Sequence, residues 1–143
     1  MRKPKLSSAL LFVLLGAGGI WVLTHPDGGC ALAGSEIVCQ MKLEQGKIGR
    51  GRADVTHVVA KYIPVGMTVD AAREILEKNG FKIYKTELQP MDKRDLPDGS
   101  YHLSGTTTEW SIILIANYEY RIVLTIADGQ VASMFARIFF TAL

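Results

Sequence analysis

The sequence predicts an α+β protein: an N-terminal transmembrane helix, then a two-layer domain of two helices packed on a three- to four-stranded antiparallel meander. Three observations carry this. An uncharged run covers 6–24, a capped amphipathic pattern covers 68–79, and the last third is rich in β-branched and aromatic residues around an Asp-Gly turn. With 143 residues, 48% apolar, 21% charged and a formal net charge of +2, the chain is not collagen, a charged disordered tail, a disulfide-dense mini-protein or a multi-pass membrane protein. Mean hydropathy is +0.17, and most of that excess sits near the N-terminus.

Arg2, Lys3 and Lys5 precede the run at 6–24, whose 19 residues reach about 28 Å at about 1.5 Å each, roughly a bilayer core. Trp21 stands near its far end, and no Lys or Arg follows until Lys42. The basic flank stays inside and the rest is translocated. That predicts a single-pass inner-membrane protein with a cytoplasmic N-terminus and a periplasmic C-terminal domain. Ala31-Leu32-Ala33 has the form of a cleavage site but lies far past the apolar run, and Asp27-Gly28-Gly29 before Cys30 is not a lipid-attachment signal. The uncleaved anchor is the favoured reading over a cut after Ala33 or a lipoprotein.

The domain plan is therefore an anchor at 1–24, a spacer at 25–52 and a globular domain at 53–143. Cys30 and Cys39 lie in the spacer on the oxidising side and are expected to pair. Closing so short a loop constrains the unfolded chain by roughly 2–3 kcal/mol. Lys42, Lys47, Arg50 and Arg52 stand against Glu44, with Gly46, Gly49 and Gly51 between them, which reads as a solvated basic linker. Two arginines in a Gly-Arg-Gly-Arg run without aromatics do not make a nucleic-acid site.

Val55, Val58, Val59 and Tyr62 predict a helix over 53–62. A second helix over 68–79 starts at Thr68, with Asp70 in its first turn, and ends at Gly80 with Phe81 folding back on Leu76. Alternation over 81–88 predicts a strand. The stretch 89–108, with Pro90, Pro97-Asp98-Gly99 and Gly105, reads as a long loop holding a short strand at Tyr101-His102-Leu103. Strands follow at 110–116, 118–127 and 131–140, joined at Asn117-Tyr118 and at Asp128-Gly129, the preferred type I′ dipeptide.

A regular hairpin then sets Ile126 opposite Val131, Leu124 opposite Ser133 and Ile122 opposite Phe135. One face, with Ile113, Ile115, Tyr120, Ile122, Leu124, Ile126, Val131 and Phe135, takes the helices. The other holds Trp110, Ile112, Leu114, Val123, Met134 and Ile138, with Glu119 and Arg121 near its rim, too apolar for a free sheet face. Either the long loop covers it or it docks another chain, an unknown protein partner or a second copy.

His25, His57 and His102 are the histidines, and only His102 has carboxylates near it, Asp92, Asp95 and Asp98. Their spacing matches no metal loop, and no set of nucleophile, base and oxyanion donors assembles. The expectation is a non-enzymatic binding module without metal or cofactor. The alternative is a secreted or periplasmic inhibitor or immunity protein inserting the 89–108 loop into a toxin or hydrolase.

The run Tyr62-Ile63-Pro64-Val65-Gly66-Met67-Thr68, with the helix that ends at Asn79-Gly80-Phe81, resembles small bacterial envelope lipoproteins. These are the outer-membrane assembly lipoproteins of the SmpA/OmlA type and relatives with the β-lactamase-inhibitor-protein fold. The resemblance covers 53–86 by motif and implies two helices against a three-stranded sheet, acting by binding other proteins. The lipid-attachment signal of that family is absent here, so its outer-membrane location is not carried over.

Overall fold

The computed structural model describes residues 34–49, 51–89, 95–111 and 116–142. They belong to one compact unit, Gly34–Leu143. Its elements are α1 (Glu36–Ile48), β1 (Ala53–Asp54), α2 (Thr56–Val59), α3 (Val69–Lys78), β2 (Lys82–Glu87), β3 (Tyr101–Ser111), β4 (Ala116–Ala127) and β5 (Gln130–Ala142). The strands form a single antiparallel sheet in the order β1-β5-β4-β3-β2.

This corrects the expected fold class. The sheet has five strands rather than three or four, and the helices differ in number and place. No helix among the described residues is long and apolar enough to cross a membrane. The run at 6–24 lies outside the described residues, as does Cys30.

Part of the expected spacer is α1. Ser35 caps it, its Oγ accepting the Val38 N–H at 3.2 Å. Glu36 in the first turn and Lys47 in the last suit the helix dipole. Ile37, Val38 and Met41 enter the common core. The helix ends where Gly49, at φ 102°, returns its N–H to the Gln45 carbonyl at 2.9 Å. Asn79 ties this helix to α3: its Oδ1 accepts from Ser35 Oγ and the Ile37 N–H, and its Nδ2 donates to the Ile75 carbonyl.

The helix expected over 53–62 is a two-residue strand and one helical turn. Local pattern loses here to β5. Ala53 and Asp54 pair with Ile138 and Arg137, the Val55 N–H donates to the Ala136 carbonyl, and Thr56 Oγ1 accepts the Ala136 N–H. α3 ends as a Schellman motif, with the Phe81 N–H on the Leu76 carbonyl at 3.0 Å and Gly80 at φ 78°. Its start differs from expectation: Thr68 occupies the N-cap position, but its side chain makes no capping bond and its backbone bridges to Gln130.

The stretch read as a long loop, 89–108, contains most of β3, an 11-residue strand paired with β2 on one side and β4 on the other. The expected turn at Asn117-Tyr118 is strand, with Asn117 opposite Trp110. Gly105 permits the close packing of α3 over β3. A Cβ there would meet Leu76 Cδ1 and Phe81 Cβ, both at 3.4 Å.

The β4–β5 hairpin turns at Asp128-Gly129, both at positive φ (51° and 73°), as a type I′ turn requires. Ile126 then faces Val131. The next pair is Thr125 with Ser133, so Ala132 is an extra residue on β5. This bulge reverses the side-chain faces of everything beyond it. Leu124 faces Met134, Ile122 faces Ala136 and Tyr120 faces Ile138. Met134 and Ile138 therefore point to the helices, and Phe135 to the outer face, the opposite of the regular-hairpin expectation.

The inner face of the sheet, with Leu103, Tyr120, Ile122, Leu124, Val131 and Ile138, shares one core with residues of all three helices. Ile138→Ala, at a site with no exposure, is expected to lower stability by about 2–5 kcal/mol. Phe135→Ala, on the half-covered outer face, is expected to cost clearly less. Denaturant midpoints of the two variants check the bulged register, and the reverse order would contradict it.

Candidate protein-binding face

Side chains alternate along each strand, so the inward set fixes the outward one. Facing away from the helices are Lys82 and Tyr84 of β2, Ser104, Thr106 and Trp110 of β3, Glu119, Arg121 and Val123 of β4, and Phe135, Arg137 and Phe139 of β5. One cross-strand row runs the width of the sheet: Asp54, Arg137, Arg121, Thr106, Lys82.

Arginines lie against the aromatic rings of this face. The Arg137 guanidinium carbon is 4.4 Å from the Phe135 ring centroid, and those of Arg121 and Arg52 are 5.0 and 5.5 Å from that of Phe139. Such contacts contribute roughly 0.5–1 kcal/mol each at exposed sites. Arg121 also donates to Glu119 Oε1, from Nη2 at 2.6 Å and Nε at 3.1 Å. Arg137 and Arg52 make no ion pair among the described residues. Asp54 accepts the Thr56 N–H at Oδ1, and this bond first, with the Thr56 side chain and the Arg137 charge, holds its carboxyl below the usual range.

The residues expected to form an apolar binding face are thus divided. Trp110 is outward and 67% exposed, and Val123 is outward and half-buried. Met134 and Ile138 are inward, packed with the core. Ile112 and Leu114 lie outside the described residues. Sequence reasoning placed Glu119 and Arg121 near the rim of this face but missed Arg137, Phe135 and Phe139, because the unbulged register set Phe135 inside. Tyr84, 53% exposed, joins Trp110 on the same face.

A second candidate is a cleft of about 340 Å³ lined by Lys42, Gln45, Gly46, Gly49, Tyr118 and Tyr120. Tyr120 Oη donates to Glu109 Oε2 at 3.1 Å, and Lys42 pairs with the same oxygen. Burial first, then the Glu109 charge, pushes the Tyr120 phenol far above its ordinary value. The group stays a protonated donor. Donor, acceptor and cation satisfy one another, so the arrangement joins α1 to β3 and β4 and leaves no activated group.

His102 is on the outer face with Nδ1 3.4 Å from Thr125 Oγ1. Asp95 and Asp98 are exposed, and Asp92 lies outside the described residues. Among the described residues no three His, Cys, Asp or Glu side chains group to hold a metal ion. Cys39, in the first half of α1, is half-buried and is not a free thiol. Comparison with protein-family models, curated proteins and solved structures finds no match for this chain.

The raised Tyr120 phenol has a pH consequence. The folded state keeps a proton that the unfolded state releases near pH 10, so this contribution to stability is present below about pH 10 and is lost as pH rises above it. Absorbance titration of the folded chain is expected to lack a component near pH 10 that Tyr120 contributes in denaturant, and Tyr120→Phe should remove that component from the difference.

Proposed function

We propose that this chain is a non-enzymatic protein-binding module of the bacterial cell envelope. The apolar run at 6–24 holds it at the inner membrane, and the residues beyond lie in the periplasm. The observation that carries the binding role is the outer sheet face. None of the described helices packs on it, and it combines exposed Trp110 and Tyr84 with arginines set against Phe135 and Phe139. A merely solvated face of an antiparallel sheet is polar, whereas aromatic residues and arginine are the types enriched at protein interfaces. The surface thus has the composition of a contact.

The basic flank at Arg2, Lys3 and Lys5 and the absence of Lys or Arg from 6 to 41 support this orientation. An oxidising compartment also suits a Cys30–Cys39 bond. Intact mass of the purified chain is expected to be lower by the two hydrogens that this bond removes and to rise on reduction. Its N-terminus should be intact and its membrane association should resist carbonate; a soluble form beginning at Gly34 would overturn the anchor.

A photoreactive side chain placed at Val123 is expected to give discrete protein adducts in cells. The same group at Lys78, on the exposed side of α3, should give none. Equal labelling at the two positions, or none at either, would refute binding through the sheet.

A further inference from the structure

Resting on the reading of the outer face as a docking surface, we infer that its partner is acidic: a protein segment whose carboxylates are taken by the paired guanidinium groups of Arg121 and Arg137.

The two arginines are directly opposite each other on adjacent strands. The Ala136 N–H and carbonyl are engaged by Thr56 Oγ1 and the Val55 N–H on the far edge of β5. In an antiparallel ladder the next residue, Arg137, therefore turns its backbone toward β4, and the Cα atoms of such a pair are about 5.5 Å apart. Like charges so placed destabilise a sheet. Among the described residues no carboxylate neutralises both: Glu119 serves Arg121, while Asp54 is engaged by Thr56 and makes no ion pair with Arg137 within 4.0 Å. Lys82 at one end of the row and Arg52 beside Phe139 bring the local balance to four cations against two carboxylates.

The rings complete the arrangement. Ring contact does not consume N–H donors: Arg137 makes no ion pair among the described residues, and Arg121, whose Nε and Nη2 are on Glu119, keeps Nη1 for a ligand carboxylate. Phe135 and Phe139 thus restrict the two arginines without discharging them, so less freedom is lost on binding. Thr106 and Ser104, neighbours of Arg121 and Val123 on β3, keep the floor low on that side.

Full-length protein in zwitterionic nanodiscs, titrated with an alternating Glu-Val octapeptide, tests the inference. Binding is expected with the Glu-Val peptide and not with its Gln-Val counterpart, weakening between roughly 50 and 500 mM salt. R121Q and R137Q should each reduce affinity about tenfold. R137Q should leave the Tm little changed, the lost ring contact being offset by relief of the like-charge pair, whereas a purely structural arginine would lower it. Equal affinity for the Gln-Val peptide, or wild-type affinity in the R121Q/R137Q double variant, would overturn the inference. So would binding to phosphatidylglycerol vesicles without binding to the peptide. If adducts at position 123 persist while the acidic peptide fails to bind, docking stands and its acidic partner falls; if those adducts are lost, both fall.

Discussion

One extra residue in β5 decides what this molecule shows to its surroundings. Ala132 follows the pair Ile126–Val131 and precedes the pair Thr125–Ser133, and every side chain from Met134 onward changes face because of it. Without the bulge, Phe135, Arg137 and Phe139 would face the helices, and two of those positions would force bulky rings and the third a charge into the core. With it, Met134, Ala136 and Ile138 fill that space, and the ring–arginine group is displayed outside. Burial of a charged guanidinium without a partner costs far more than a bulge, which explains why the chain adopts the irregular strand.

The helical side is held by contacts that connect distant parts of the chain. Asn79, just past the end of α3, satisfies backbone and side-chain donors at the start of α1 across 42 to 44 residues of sequence. Tyr120 and Lys42 converge on Glu109 at the middle of α1. β1 and α2 are shaped by the edge of β5 rather than by their own composition. On the outer face Arg121 is paired with Glu119, whereas Arg137, directly opposite it, makes no ion pair among the described residues.

Elements whose signals are local and redundant were legible from sequence. Asp128-Gly129 specified a type I′ turn because few other residues adopt positive φ at both positions. α3 carried its own start, amphipathic spacing and Gly80-Phe81 ending. α1 was missed although Ser35, Glu36, Ile37, Val38 and Met41 contain a cap, an acidic first turn and a helical stripe; the glycines and basic residues around it outweighed that pattern. β3 was missed over 104–108, where Gly105 and a run of threonines resemble a loop until α3 and β4 pack against them.

By itself the sequence determined the charge asymmetry about an apolar N-terminal run, the hairpin turn, the best-capped helix and a last third built of strands. Those depend on residues within a few positions of one another, so their free energies can be weighed locally. Only the tertiary structure decided the five-strand order, the place of α1 in the core and the membership of the outer face. A bulge, an edge pairing such as Ala53 with Ile138, and the row from Asp54 to Lys82 are set by contacts between segments far apart in the chain. A strand's period of two turns a single-residue shift in such a contact into an exchange of inside for outside.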